Sequence, residues 1–427
     1  MAEAGIGAVT DADGAPVPPR GTLALLPWGN VFEDYLGPIG LTLDDFAERV
    51  TGGWIFGYVE ALKLAGWRTV IFCVTRHKGG VRRLVHHDTG ATILALTTPR
   101  IWRTVPVARL RGRVSWLATP LPGFARQLRS CGCRAILCQE YEYGRFDMTV
   151  LLGRFLGLPV FATFQGGDRP ANRWAAQVRR RTIPMARGFA VGVERERRRL
   201  VERYGVPADR VRLIPNPLDL RRWPPQDRGA SRAVLGVAPG TELVVSHGRI
   251  DRWTKGLDIL LEAWRRLVAA RPGRALRLLL IGSGADDAWL RAQLADPSLA
   301  TVTWLSEYIL DRQLMARHLA AADLFVLASR QEGQPVAPLE AMAMGLPLVA
   351  TDANGMAEIL GPVAGEVGLL VPRDDPPALA AALGRALDDR AWRLAAGAAA
   401  RRRVETVFSL PAVGRALGDL LALPART

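Results

Sequence analysis

Lysine is nearly missing from this chain: of its 56 basic residues only Lys63, Lys78 and Lys255 are lysine, and the rest are arginine. The net charge of +15 is therefore an arginine bias, which genome composition produces as readily as selection for a polyanion. The basic runs at 179–181, 197–199 and 401–403 have no interleaved aromatics and no accompanying nucleic-acid motif, which argues against nucleic acid as a partner. Solvated helix faces are the plain reading of those runs. A peripheral contact with an anionic membrane is the other. Cysteine is scarce as well. Cys73, Cys131, Cys133 and Cys138 form no paired CxxC set, so neither a zinc site nor a disulfide framework is expected, and a reducing cytoplasm is. No apolar run reaches the roughly 18 residues of a membrane span. Residues 1–21 lack the basic and apolar regions of a signal peptide and are expected to form a flexible tail.

What the chain does have is length and alternation. Its 427 residues, 49% apolar and 23% charged, suffice for two globular domains. Short apolar runs alternate with amphipathic stretches, the pattern of parallel sheets wound with helices. Strands are expected at 23–26, 69–74, 92–96, 135–137, 160–163 and 189–193. Residues 221–240, rich in Pro, Arg and Gly, read as a linker between a domain at 22–220 and another at 241–408. Further strands are expected at 243–246, 277–281, 302–305, 324–327, 346–350 and 369–371, with helices near 255–268, 285–294, 311–321 and 335–344. The fold class is thus α/β, two facing Rossmann-like domains with doubly wound parallel sheets. Ligands of such sheets lie beyond the carboxyl ends of the strands. A last helix at 411–421, within 409–427, is expected to cross back to the first domain.

The segment 332–340, EGQPVAPLE, carries the most chemistry. It follows a strand pattern, with Glu332 in the turn and a helix opening at Pro335, where a missing N–H costs nothing. The first turn of that helix has free N–H groups and a partial positive charge, which suit a phosphate. Glu332 and Glu340 flank this seat, and carboxylates there can accept hydrogen bonds from sugar hydroxyls. The bland alternative makes Glu340 a dipole-favoured helix residue and Glu332 a turn acid. Arg249 and Lys255 emerge from one loop after strand 243–246. Together they can neutralise a pyrophosphate, the arginine as a fork and the lysine as a point charge; otherwise they are two solvated cations. Gly52 and Gly53 before a helix, and Gly282 and Gly284 after strand 277–281, would let backbone approach a phosphate, as they would serve any ordinary turn.

In order and spacing these blocks resemble the retaining GT-B glycosyltransferases of family 4, the group 1 type. VVSHGRIDRWTKGLDILLEAW is similar to the donor-phosphate loop of that family, and ADLFVLASRQEGQPVAPLEAMAMGLPLVATD to its E-x7-E block. TGGWIFGYVEALKLAGW resembles its Gly-rich opening helix, and VRLIPNPLD its sheet-ending signature. The resemblance implies transfer of a sugar from a UDP- or GDP-sugar donor to a hydroxyl acceptor, a saccharide, a lipid-linked saccharide or a small metabolite, with retention at the anomeric carbon. It implies that Glu332 contacts the donor sugar, with Gly333 beside it, and that Glu340 takes the ribose hydroxyls. Arg249 and Lys255 would hold the leaving diphosphate, assisted by the amides of Val336 and Ala337 and of Gly52 and Gly53. Gln165 and Asp168, in FATFQGGD, would face the acceptor.

Two departures matter. Gln334-Pro335 replaces the aromatic-glycine pair of many relatives, and Pro335 has no N–H to give. Gln165 stands where many members carry histidine, and an amide cannot act as a base. The only DxD triplet, at Asp11 and Asp13, lies in the tail, so no metal or other cofactor is expected. A sugar-nucleotide epimerase on the same fold and a catalytically weak nucleotide-sugar-binding protein are the alternative readings.

Overall fold

The computed structural model describes residues 17–27, 29, 31–37, 40–50, 53–103, 115–166, 173–363 and 365–424. Gly52, Asp168 and the DxD triplet of the tail lie outside these described residues. The chain divides into two compact units, one of Met1–Pro217 with Leu410–Thr427, the other Leu218–Ser409. Helices of seven or more residues are numbered below in chain order.

The first unit is built on strands β1 (Gly21–Leu26), β2 (Trp67–Thr75), β3 (Val81–Val85), β4 (Thr92–Thr97), β5 (Cys133–Cys138), β6 (Val160–Thr163), β7 (Gly188–Val191) and β8 (Val211–Leu213). Their order is β3-β4-β2-β1-β5-β6-β7-β8, and every pairing is parallel except β3 with β4. The inner strands are buried on both faces, which is why GTLALL and WRTVIFCVT read as near-continuous apolar runs. Two strands escape the sequence reading. β3 is an antiparallel edge, VRRLV, exposing Val81 and Val85, and β8 has only three residues.

Helices α1 (Gly53–Leu64), α2 (Leu121–Ser130), α3 (Gly144–Leu156) and α4 (Arg173–Thr182) belong to this unit. The C-terminal helix of the chain, Leu410–Leu421, also packs here, against α1 and β7. Gly414 makes that possible, since a Cβ there would press on the Ala61 carbonyl of α1.

The second unit has six parallel strands, β9 (Glu242–His247), β10 (Leu276–Ile281), β11 (Val302–Leu305), β12 (Leu324–Leu327), β13 (Leu348–Thr351) and β14 (Gly368–Val371), ordered β11-β10-β9-β12-β13-β14. The order reverses between β9 and β12, which makes their carboxyl ends the topological switch point. Its helices are α5 (Arg228–Val234), α6 (Leu257–Ala269), α7 (Asp287–Leu294), α8 (Arg312–Ala321), α9 (Ala337–Ala343), α10 (Pro376–Asp388) and α11 (Arg390–Arg403); the C-terminal helix Leu410–Leu421 is then α12.

Residues 221–240, read as a linker, are folded into this unit. Asp227 accepts from the Ala230 amide and caps α5, and Arg228 and Arg232 of that helix pair with Asp323 ahead of β12. A capped helix tied by two arginines to one carboxylate is ordered despite its polar composition. The ends of the unit are joined at a parallel bridge between Leu218 and Ser409. No helix among the described residues is long and apolar enough to cross a membrane.

Candidate active site

The expected donor residues of the second unit gather at the carboxyl ends of β9 and β12. Arg249 and Lys255 come from the loop between β9 and α6. That loop is folded on Asp251, whose carboxylate takes the Thr254 amide at 2.8 Å and whose carbonyl takes the Lys255 amide at 3.0 Å. Gly256 ends it in the left-handed conformation (φ +60°) as the N-cap of α6, and a Cβ there would strike the Ala328 carbonyl beyond β12. A side chain is thus excluded where the two loops meet.

Across this contact Lys255 Nζ donates to Glu332 Oε1 over 2.7 Å. Ser329 Oγ donates to the same oxygen at 2.6 Å, so Glu332 Oε2 keeps its lone pairs for a ligand. Behind it Arg330 forks onto both oxygens of Asp258 in α6 (2.8 and 2.9 Å), and Thr351 Oγ1 donates to the Ser329 carbonyl at 2.6 Å. The turn carrying Glu332 is therefore held from both sides. Arg249 behaves differently. Its side chain is 54% exposed and among the described residues reaches only Asp251, at 3.8 Å, which leaves the guanidinium available to an anion.

The helix after Glu332 begins later than the sequence reading has it. Val336 is the N-cap, Ala337 the first helical residue, and Pro338 takes the tolerated place in the first turn. Pro335 sits two residues ahead of the helix and is buried. A proline at 338 satisfies the same first-turn rule that makes Pro335 look like the start. The amides of Val336 and Ala337 stand where a helix supplies no acceptor of its own.

Glu340 is buried one turn in. Arg312 of α8 donates Nη1 to its Oε1 at 3.3 Å, and His247 Nε2 lies 3.3 Å from its Oε2. The latter contact is not a hydrogen bond, and among the described residues Nε2 has no hydrogen-bond partner. Burial pushes the Glu340 carboxyl up to about 7, with Arg312 pulling the other way. Burial also pushes the His247 imidazole down to about 3, reinforced by Arg312 and Lys255 and opposed by the Ala337 backbone. Neither His247 nor Arg312 stands out in the sequence. The available signal is that His247 ends β9 two residues before Arg249, at the switch point.

Gly282 and Gly284 pack against the loop after β9. A Cβ at either would collide with backbone of the β9 loop, at Gly248 and Ile250 respectively. The Ile250 amide donates to the Ser283 carbonyl at 3.0 Å, so these glycines let two loops touch.

In the first unit, Gly53 opens α1. Gln165 follows β6 and is committed to a reciprocal amide pair with Asn216, both bonds 3.1 Å, plus a bond from Nε2 to Thr163 Oγ1 at 3.1 Å. Its backbone N–H donates to Glu140 Oε2 at 3.2 Å.

Two family models match: Glycosyl transferases group 1 over residues 241–389 and Glycosyltransferase Family 4 over residues 55–222. The chain belongs to the family 4, group 1 glycosyltransferases. Curated relatives of the chain include D-inositol 3-phosphate glycosyltransferase of Nocardia farcinica, 34% identical over 54% of the chain and 51% of the relative. Another is the GDP-mannose-dependent monoacylated alpha-(1-6)-phosphatidylinositol monomannoside mannosyltransferase of Corynebacterium glutamicum, 34% identical over 49% and 55%. The chain spans about half the length of the curated relatives it matches.

Among solved structures, sucrose-phosphate synthase from Thermosynechococcus elongatus aligns over 94% of this chain and 98% of its own, with 24% identity and a TM-score of 0.69. HepE of Anabaena in complex with UDP aligns over 94% and 99%, at 16% identity and a TM-score of 0.71. The fold is that of the GT-B glycosyltransferases.

Proposed function

We propose that this glycosyltransferase moves a hexosyl group from a UDP- or GDP-sugar to a hydroxyl acceptor with retention of anomeric configuration and without a metal. The observation that carries the reading is the meeting of Lys255 and Glu332 on the donor side of the switch point, with the exposed guanidinium of Arg249 on the same loop. Breaking a glycosyl–diphosphate bond builds negative charge on the leaving oxygen and positive charge on the sugar, and fixed charges facing both lower the barrier. Arg249 and Lys255 hold the diphosphate, helped by the Val336 and Ala337 amides; Glu332 orients the sugar through Oε2, and Glu340 takes the ribose. The anomeric C–O bond to phosphate breaks, the bond to the acceptor oxygen forms on the same face, and the acceptor proton passes to the leaving diphosphate. No base is needed at Gln165 for that path.

The relatives are named for an inositol phosphate and a phosphatidylinositol mannoside, so a phosphorylated inositol and its lipid-linked form are the first acceptors to try. The free cysteines suit a reducing cytoplasm, where nucleotide sugars are available, and a lipid-linked acceptor would bring the enzyme to the inner membrane face.

The test is a screen of UDP- and GDP-sugars by thermal shift, in which a ligand of the native state raises the melting temperature. Turnover with the stabilising donor is then followed with and without chelator. Retention is read by NMR of the anomeric proton. An inverted product, or turnover lost to chelator and restored by a divalent ion, would reject that part of the mechanism. Isomerisation of the donor with no acceptor present would favour the epimerase instead.

A further inference from the structure

We propose that His247 is a positioning residue that fixes the Glu340 carboxyl group for the ribose diol of the nucleotide. This rests on the donor reading above. Three elements converge on one carboxyl: Arg312 from α8 on Oε1, His247 from β9 on the side of Oε2, and α9, which carries Glu340 itself. Both His247 and Glu340 have side chains only 8% exposed. The imidazole is set edge-on against Phe325 of β12, with ring centroids 5.6 Å apart at 70°.

Arg312 alone would leave the carboxyl free to turn about its own axis. A second group bonded to the other oxygen would remove that freedom, and pre-organised acceptors bind more tightly than mobile ones. The contact is also incomplete as it stands. His247 Nε2 is buried and, among the described residues, makes no hydrogen bond, and buried polar atoms of this kind call for a partner. A vicinal diol donating to Glu340 would draw the carboxyl into register with Nε2 and complete the set. His247 lines the same small cleft as Arg249 and Lys255, so the diol seat adjoins the proposed diphosphate seat. The device selects a ribonucleotide, because a 2′-deoxyribose has only one of the two hydroxyls.

The test measures dissociation constants of UDP, 2′-deoxy-UDP, GDP and 2′-deoxy-GDP by calorimetry on the full chain. The wild type is compared with His247→Ala, His247→Asn, His247→Gln and Glu340→Gln. Asn keeps an amide near the Nδ1 position but cannot reach Glu340, whereas Gln places its nitrogen near Nε2. The wild type should prefer the ribonucleotide by about tenfold or more, the effect of one hydrogen bond to an ionisable group. His247→Ala and His247→Asn should lose most of that preference, His247→Gln should keep it, and donor KM should rise in the first two with kcat little changed. A mere packing role would lower the melting temperature and spare the ribo/deoxy ratio, and that result overturns the proposal. Should His247→Ala fail to fold, the Asn and Gln variants decide it. If Glu340→Gln keeps full affinity and preference, or the wild type binds neither ribonucleotide, the donor reading itself fails and takes the inference with it. Loss in Glu340→Gln alone overturns only the role of His247.

Discussion

Lys255 Nζ and Glu332 Oε1 lie 2.7 Å apart across 77 residues of sequence, joining the loop after β9 to the turn after β12. Each is proposed to face an opposite charge of the same substrate, the diphosphate and the developing cation of the sugar. They meet through Oε1 of Glu332 alone, so in the proposed path Oε2 and the remaining ammonium protons of Lys255 serve the donor while the pair stays joined. Lys255→Ala should lower kcat by about 10²–10³, the scale of removing one charge-stabilising donor. Glu332→Ala should abolish turnover while circular dichroism stays native. Because the residues share a hydrogen bond, the double variant should lose less than the product of the two single effects. Near-normal turnover in Glu332→Ala would remove that residue from the mechanism.

The pair of His247 and Glu340 has a distinctive proton balance. Unfolded, the imidazole titrates near 6.5 and the carboxyl near 4.5; folded, they move to about 3 and about 7. The raised carboxyl stabilises the fold below 4.5 and loses that contribution as pH rises through 7. The depressed imidazole stabilises it above 6.5 and loses that contribution as pH falls toward 3. Between 4.5 and 6.5 both states hold one proton on the pair, so the slopes cancel. His247→Asn, which leaves the carboxyl unopposed, should therefore make the melting temperature fall as pH rises from 4.5 to 7, whereas the wild-type curve is flat up to 6.5. Glu340→Gln should make it fall as pH drops below 6.5. Scanning calorimetry across this range checks both; curves parallel to wild type would show that the two groups do not exchange a proton on folding.

Gly256 is the tightest point of the donor loop. Alanine there must adopt φ +60° and displace the Ala328 carbonyl. We expect Gly256→Ala to cost about 1–3 kcal/mol of stability in denaturant unfolding. Its donor KM should rise as well, since the same shift moves Lys255. A stable variant with weakened donor binding would still fit; a stable one with unchanged KM would not.

Gln165 is a different case. Its amide is spent on Asn216 and Thr163, so its removal leaves buried partners unpaired. Gln165→Ala should destabilise the first unit by about 1–3 kcal/mol. Gln165→His, which restores the residue of many relatives, should not raise kcat, because in the proposed path the leaving diphosphate takes the proton. A large gain in kcat with Gln165→His would point to a base at this position instead.

Much of this was legible in the order of the residues. The strands β1, β2, β4 to β7 and β9 to β14 can be found from apolar runs, because strands buried on both faces have no polar alternation to hide them. The edge strand β3, with its two arginines, carries no such signal. The helix start at Ala337 was misplaced for a related reason: EGQPVAP holds two prolines that each satisfy the first-turn rule, and only packing chooses between them. Gly282 and Gly284 show the limit of motif reading, since glycine permits close approach without saying what approaches.

The fold class followed from the alternation of apolar and amphipathic stretches, the family from a resemblance of whole blocks, and the placing of Arg249, Lys255, Glu332 and Glu340 just after strands from local spacing, because a strand, a turn and a helix N-terminus are short-range objects. Which of them touch did not. Lys255 meeting Glu332, and His247 and Arg312 closing on Glu340, are pairings of residues 28 to 93 positions apart. Strand order alone decides them: the sheet places β9 beside β12, and no local pattern in the chain encodes that neighbour.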